Sequence, residues 1–156
     1  MLFSAKLTWT NSPNTFDISS NPNTVPSSQW SRQHNIVLGS GITIACSSAA
    51  SFLGNDDKAN PEEMLLAAVS SCHMLSFLAI AEKKRWLVEH YQDQASAILT
   101  VNENGKQMVS EVNLTPNITF NGTPPTEAQL DKAHQLAHQH CFIANSIKAK
   151  VNIISQ

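Results

Sequence analysis

Three cysteines, at positions 46, 72 and 141, are the residues of this chain with the clearest capacity for covalent chemistry. Cys72 lies inside the apolar stretch NPEEMLLAAVSSCHML, which spans residues 60–75. The thiolate form of cysteine is a nucleophile and a metal ligand, but burial in apolar surroundings raises the pKa of a thiol and leaves it inert. Cys72 is therefore either a small core residue or a reactive thiol that a nearby cation must activate.

Arg32 and Glu62 are the charged residues whose positions fit such an activating role. Arg32 is the only arginine in the N-terminal half of the chain, and its guanidinium would stabilise a thiolate. Glu62 precedes Cys72 by ten residues. At about 100° per residue, both lie on one broad flank of a helix, roughly two to three turns apart, so Glu62 is too distant for direct contact with the thiol. Its role would be to orient Arg32. The alternative for Arg32 is a solvated charge at the start of a strand.

Other side chains support further hypotheses. His134 and His138 are four residues apart on one predicted helix, and His140 and Cys141 follow them, which is compatible with a zinc site. No second cluster supplies further ligands, and the simpler interpretation is three polar histidines on a solvated helix. A Cys-His hydrolase that uses Cys72 is another hypothesis, but no Gly-rich turn of the kind that forms an oxyanion hole accompanies it.

Two residues near this chemistry are expected to be structural. Cys46 ends the strand-like segment GITIAC, and we expect it to be a buried strand residue. His73 follows Cys72 directly and points about 100° away from it on a helix. We therefore expect His73 to be a core neighbour rather than a base.

The helix that carries Cys72 has clear boundaries in the sequence. Asn60 is a favoured N-cap, Pro61 suits the first helical position, and basic residues at 83–85 complement the C-terminal end. Residues 64–81 contain no charge, and apolar residues fall on nearly every side, so we expect a central helix that a partner subunit partly covers. This length is also at the lower limit for a transmembrane helix, but its polar serines and histidine favour burial in protein.

The remaining segments alternate between strands and helices. The sequence predicts two hairpin turns and one helix-opening capping box, at Ser40 with Gly41, Asn104 with Gly105, and Thr126 with Gln129. A Ser/Asn/Pro-rich connection at residues 11–28 is expected on the surface, and the segment CFIANSIKA, which begins at Cys141, is predicted to form a short helix. The order β-β-α-β-β-α-α-β predicts one α+β domain over residues 1–156, with antiparallel sheet packed on helices.

Composition narrows the classes of function. Charged residues make up 14% of the chain and the net charge is −2, so no basic surface favours nucleic acid or an anionic membrane. The N-terminal residues lack a basic start followed by an apolar run, and the cysteines lack the spacing of a secreted disulfide framework. We therefore expect a cytoplasmic protein whose cysteines are reduced core residues or are used chemically.

The segments NPEEMLLAAVSSCHMLSFLA, YQDQASAIL and HCFIANSIK, in this order, resemble the OsmC/Ohr family of osmotically inducible and organic hydroperoxide resistance proteins. That family has an Asn-Pro-Glu start with a cysteine ten residues after the glutamate, a spacing that Glu62 and Cys72 keep. Its second cysteine begins a helix in the C-terminal third, where Cys141 lies. Its arginine lies some forty residues before the first cysteine, as Arg32 does. One departure is Phe142, which stands where the family commonly has proline.

The resemblance implies an intertwined homodimer, with antiparallel sheets around two long central helices and active sites at the interface. It also implies a thiol peroxidase, in which Cys72 would attack an organic hydroperoxide and Cys141 would condense with the resulting sulfenic acid to form an intramolecular disulfide. A dithiol reductant (dihydrolipoyl groups in characterised relatives) would restore both thiols. Arg32 would stabilise the thiolate and polarise the peroxide, and Glu62 would hold Arg32 in place. No cofactor, metal, nucleic acid or membrane is implied, and the alternative is a non-catalytic dimer of the same fold that binds a small molecule or lipid.

Overall fold

The computed structural model describes residues 1–10 and 31–154. The connection predicted at residues 11–28 lies outside these ranges. Within them the chain forms single-turn 3-10 helices at Ala50–Phe52 and Ala144–Ser146, and ten longer elements. These are β1 (Ala5–Thr8), β2 (His34–Leu38), β3 (Thr43–Cys46), α1 (Pro61–Lys83), β4 (Val88–Asp93), β5 (Ser96–Val101), β6 (Gln107–Leu114), β7 (Pro116–Phe120), α2 (Glu127–His140) and β8 (Lys150–Ile153). The predicted α+β fold is confirmed.

Residues 1–63 form one compact unit around a small antiparallel sheet, in which β2 lies between β1 and β3. The predicted tight turn at Ser40 and Gly41 joins β2 to β3. Gly41 has a φ of 87°, a left-handed conformation that glycine adopts without a Cβ clash, and its N–H donates to the Leu38 carbonyl at 2.8 Å. Cys46 ends β3 and is fully buried, as predicted.

Residues 64–156 form a second compact unit with two further sheets. β5 and β6 form the predicted antiparallel hairpin, whose turn is held by the Asn102 side chain. Its Oδ1 accepts the N–H groups of Asn104 and Lys106, each at 3.0 Å. β4 pairs antiparallel with β7, whereas β8 pairs with β6 in parallel. That parallel pair departs from the antiparallel prediction, and it joins segments far apart in the sequence.

Helix α1 begins at Pro61, where the sequence predicts it. Asn60 caps it reciprocally, because the Glu63 N–H donates to Asn60 Oδ1 at 2.8 Å and the Asn60 N–H donates to Glu63 Oε2 at 3.2 Å. Only one stripe of α1 is buried within the described residues, and its members are four residues apart: Val69, His73, Phe77 and Ala81. Leu75, on another side, is 60% exposed. The helix is therefore apolar on more sides than the described residues cover.

The buried stripe of α1 packs into two apolar clusters of the second unit. Phe77 and Ala81 pack with the small side chains of Ala133 and Ala137 on α2. Val69 packs against β6 in the other cluster. By length and composition α1 also meets the requirements of a membrane-spanning helix. Within the described residues 22% of its apolar segment is buried, so the prediction of a helix buried in protein on most sides stays a prediction.

Asp93 connects α1 to the strands of the second unit. The Ser70 hydroxyl donates to Asp93 Oδ2 at 2.5 Å, and the Thr115 N–H donates to Asp93 Oδ1 at 2.7 Å. Both carboxylate oxygens are thereby used, and hydrogen bonds to a charged acceptor are the stronger kind. The α1 turn just before Cys72 is therefore fixed against the end of β4.

Helix α2 begins with the predicted capping box, in which Thr126 Oγ1 and the Gln129 side chain accept each other's backbone N–H groups. The prediction that Cys141 begins a helix is wrong. Cys141 is the C-cap of α2, and its N–H donates to the His138 carbonyl at 3.2 Å. Its ψ of 104° is extended, which ends the helical hydrogen-bond pattern. Only the single turn Ala144–Ser146 follows.

Candidate active site

Cys72 lies on α1 beside the buried stripe and is half-buried. Its side chain lines a groove of about 630 Å³ in the second unit, together with Leu75 and Ala79 of the same helix. Phe142 and Ile143, which follow α2, line the groove from the other side. The walls are mainly apolar, so the groove suits a molecule with an apolar body. Cys72 is the cysteine that such a molecule would meet.

Cys141 is fully buried at the C-terminal end of α2. The Cys72 thiol lies within hydrogen-bonding reach of the Cys141 thiol, and both are free. Cys141 Sγ also accepts the Ala144 N–H at 3.4 Å, and its thiol faces the Val69 carbonyl at 4.0 Å. The fold thus brings together two thiols that are 69 residues apart in the sequence.

The environments of the two thiols differ. Burial raises the pKa of the Cys141 thiol above its ordinary value, the Ala144 N–H lowers it, and the neighbouring Cys72 raises it further. Burial disfavours the charged thiolate because the apolar interior solvates it poorly. At neutral pH Cys141 is therefore a protonated thiol behind Cys72, and Cys72 is the thiol that faces the groove.

Arg32 and Glu62 both belong to residues 1–63. Arg32 is exposed just before β2, and its carbonyl accepts a hydrogen bond from His34 Nδ1–H at 2.9 Å. Glu62 is half-buried in the first turn of α1. Across residues 1–10 and 31–154, no ion pair links these two side chains. Their predicted roles at the thiol remain predictions.

The histidines of α2 do not lie on one solvated face. His134 is 5% exposed, and its Nδ1 lies 3.0 Å from Nε2 of the buried His73. The interpretation of His134 as a solvated polar residue is therefore wrong, whereas His73 is a core residue as predicted. Among the described residues, no group of three or more His, Cys, Asp or Glu side chains has a metal-binding arrangement.

Two ionisable groove residues are absent from the predicted catalytic set. Lys83 and His140 both line the groove that contains Cys72. Lys83 lies eleven residues after Cys72, which is about three helical turns on the same face, so helical spacing could have identified it. His140 directly precedes Cys141, but nothing in the local sequence indicates that it turns toward the groove.

Comparison with known proteins places these features in a family. The family profile described as OsmC-like protein matches residues 54–156. An OsmC-like protein of unknown function from Vibrio cholerae is similar to the chain at 39% identity, with a TM-score of 0.89 over 100% of this chain and 99% of that one. No curated protein matches significantly.

Two more distant solved structures share the fold. An organic hydroperoxide resistance protein from Elizabethkingia anophelis has 19% identity and a TM-score of 0.71, covering 99% of this chain and 94% of its own. An organic hydroperoxide resistance protein from Bacillus subtilis has 16% identity and a TM-score of 0.67, covering 100% of both chains. At these identities the similarity concerns the fold.

Proposed function

Because the chain belongs to the OsmC-like protein family, we propose that it is a cysteine-based peroxidase that reduces organic hydroperoxides to alcohols. The observation that carries this proposal is the pair of free thiols, in which Cys72 faces an apolar groove and the buried Cys141 lies within hydrogen-bonding reach. The two hydroperoxide resistance proteins of similar fold support the substrate class. An apolar groove with one accessible thiol suits a substrate that has an apolar body and a peroxide group.

In the first step the Cys72 thiolate attacks the distal oxygen of the hydroperoxide. A sulfur–oxygen bond forms, the oxygen–oxygen bond breaks, and the departing alkoxide takes up a proton to become the alcohol. Cys72 is oxidised to a sulfenic acid as the peroxide is reduced by two electrons. Cys141 is not the attacking thiol, because it is fully buried and burial raises its pKa.

In the second step the Cys141 thiol attacks the sulfenic sulfur of Cys72. A disulfide forms and the sulfenic oxygen leaves as water, which protects Cys72 from further oxidation to the sulfinic acid. The two thiols are close enough for Cys72 to shift the pKa of Cys141, which supports this step. A dithiol reductant, which we propose to be of the lipoyl type, then exchanges with the disulfide, restores both thiols and is itself oxidised.

We assign the charge that stabilises the Cys72 thiolate to Arg32, with Glu62 as the carboxylate that orients it. Arg32 is exposed, and its guanidinium makes no ion pair with any residue of the described ranges. A guanidinium offers several N–H donors in a fixed plane, which suits simultaneous contact with a thiolate and a peroxide oxygen.

The working form is a homodimer in this proposal. Large apolar side chains are exposed in both units, among them Phe3 at 84%, Leu75 at 60% and Phe142 at 79%. A second copy of the chain would cover such surfaces, which are costly to leave in water. We further propose that residues 1–156 act as a single domain and that the protein works in the cytoplasm, where thiols stay reduced.

Turnover of cumene hydroperoxide with dihydrolipoamide as reductant tests the proposal. Wild type is expected to consume peroxide continuously and Cys72→Ser to consume none above background. Cys46→Ala is the matched control, because Cys46 is a third buried cysteine in the other unit, and it should retain wild-type turnover. Equal consumption by wild type and Cys72→Ser would refute the peroxidase function.

The groove also favours a second candidate, a non-catalytic dimer that binds a small molecule or lipid. Its volume of about 630 Å³ lies within the usual range for small-molecule sites. This candidate predicts that an apolar fluorescent probe binds and that a fatty acid displaces it. It also predicts that peroxide consumption does not exceed that of Cys72→Ser, so the same assay separates the two functions.

A further inference from the structure

A pair of buried histidines connects the two helices that carry the thiols. His73 of α1 is 1% exposed and His134 of α2 is 5% exposed. His73 Nε2 and His134 Nδ1 are 3.0 Å apart, and the ring planes differ by only 8°. The ring centroids are 5.3 Å apart, which is close to the nitrogen–nitrogen distance plus two ring radii. The rings therefore meet edge to edge in one plane and share one N–H···N hydrogen bond.

Neighbouring side chains hold this pair in place and enclose it. The Phe77 ring stacks on His134 with a centroid separation of 4.6 Å, and the Tyr91 ring is tilted against Phe77 with a centroid separation of 5.8 Å. Nδ1 of His73 is buried and has no hydrogen-bond partner among the described residues. A protonated His73 would carry N–H groups on both nitrogens, and the one at Nδ1 would find no acceptor there. The geometry therefore favours the neutral pair.

The charged and titratable groups around the pair come from α2 and β4. His138 of α2 faces His73, whereas Asp131 of α2 and Asp93 of β4 face His134. Burial, together with the neighbouring His134 and His138, lowers the pKa of His73 to about 4. Burial also lowers the pKa of His134, against the raising effect of the two carboxylates. Tyr91 of β4 stays neutral, because burial and then Asp93 raise its pKa.

The pair lies close to both thiols along the chain. His73 is adjacent to Cys72 on α1, and His134 precedes Cys141 by seven residues on α2, or about two helical turns. The hydrogen bond between the rings therefore fixes the position of α2 along α1 near the thiols. Since Cys141 is the C-cap of α2, any slide or separation of the helices would displace it from Cys72.

We propose that the His73–His134 hydrogen bond positions Cys141 against Cys72 while both rings are neutral, and that it loosens when acid protonates the pair. The inference rests on the proposed function for the use of the disulfide. Two adjacent positive charges in a buried, apolar setting repel each other, and each is more stable in contact with water. Protonation therefore favours separation of α1 from α2, which a Cys72–Cys141 disulfide opposes. Disulfide formation and protonation of the pair should therefore disfavour each other.

The equilibrium between the dithiol and disulfide forms of the protein measures this coupling without any peroxide. The protein is equilibrated with reduced and oxidised dithiothreitol from pH 3.5 to pH 7, with a trace of a diselenide to accelerate exchange. The thiols are then trapped by alkylation. Exchange between protonated thiols releases no net proton, so any pH dependence comes from a group that titrates in this range, which is either the Cys72 thiol or the histidine pair.

The His134→Gln variant isolates the histidine contribution, because glutamine can hydrogen-bond to His73 but does not titrate. The exchange constant is the equilibrium constant for forming the Cys72–Cys141 disulfide with oxidised dithiothreitol. At pH 7 the exchange constant of His134→Gln should lie within about twofold of the wild-type value. From pH 6.5 to pH 3.5 the wild-type constant should fall relative to the variant by about threefold or more, since pH 3.5 lies below the pKa of His73, about 4, and a linked proton acts fully only there. His73→Gln should behave as His134→Gln does, and the exposed His90→Gln should follow wild type.

The outcomes distinguish failure of the histidine positioning role from failure of the proposed peroxidase function. The same pH profile in wild type and His134→Gln would overturn the positioning role and leave the peroxidase proposal intact. A wild type that forms no Cys72–Cys141 disulfide at pH 7 would overturn both. His134→Phe removes the hydrogen bond and should lower the exchange constant at pH 7. If a folded His134→Phe protein had the wild-type exchange constant, the positioning role of the histidine pair would also be overturned. If that variant does not fold, the glutamine comparison still decides.

Discussion

The buried His73 makes the free energy of unfolding depend on pH, and the size of the effect follows from its environment. His73 is 1% exposed, and burial, with smaller contributions from His134 and His138, lowers its pKa from 6.5 to about 4. The unfolded chain therefore binds the proton more readily than the native protein does. The stabilisation is complete above about pH 6.5, declines as the pH falls toward 4, and changes no further below that value.

The two pKa values set the magnitude of this loss. The difference between 6.5 and about 4 corresponds to about 3 kcal/mol, lost at about 1.4 kcal/mol per pH unit. His134 adds a loss of the same sign, because its pKa is also lowered. The two rings share a hydrogen bond, so they titrate as a pair and the loss belongs to the pair.

Urea unfolding between pH 4.5 and pH 7.5, at constant protein concentration, measures the effect. Wild type should lose stability more steeply than His73→Gln below pH 6.5, and the two curves should run parallel above it. His90→Gln serves as the control, because His90 is exposed and its loss should leave the slope unchanged. If the His73→Gln slope equals the wild-type slope, the neutral buried pair is refuted.

Three further predictions concern the site and the helices. Cys141→Ser should let excess hydroperoxide convert Cys72 to the sulfinic acid, because no second thiol traps the sulfenic acid; intact-mass spectrometry would detect the gain of two oxygens, and a mass equal to that of treated wild type would count against Cys141. Arg32→Ala should slow alkylation of Cys72 by iodoacetamide at pH 6 by about tenfold, because an adjacent cation stabilises a thiolate; an unchanged rate would assign the activation to another group. Thr126→Ala should lower the free energy of unfolding by about 1 kcal/mol through loss of the capping box, while Thr126→Ser, which keeps the hydroxyl, should restore most of it.

The helix boundaries were predictable from the sequence because capping is local. Asn60 and Thr126 each meet their partner three residues further along the chain, so side-chain chemistry and spacing were sufficient. The hairpin turns were equally predictable, since Gly41 and Gly105 adopt positive φ angles that glycine tolerates.

Contacts between distant segments could not be predicted from local sequence in this way. The parallel pairing of β6 with β8 depends on where the chain returns after α2. The expected helix at Cys141 is reduced to one later turn, because the extended backbone of Cys141 ends α2 there. Local propensity carries no information about that backbone turn.

The candidate site also had a part that the sequence could predict and a part that depends on contacts between distant segments. Resemblance to a family directed attention to Cys72 and Cys141, and their proximity depends on the packing of α2 against α1. The role of His134 was missed because its partner, His73, lies 61 residues away. On a helix with polar neighbours, a buried histidine has the same local pattern as a solvated one.

If Cys72 and Cys141 are the peroxide-reactive pair, peroxide should join them in a disulfide. Fully reduced protein is treated with one equivalent of cumene hydroperoxide, remaining thiols are alkylated, and the digest is mapped by tandem mass spectrometry. We expect one disulfide between Cys72 and Cys141, with Cys46 recovered in alkylated form. Recovery of all three cysteines as alkylated thiols, or a disulfide that involves Cys46, would contradict it.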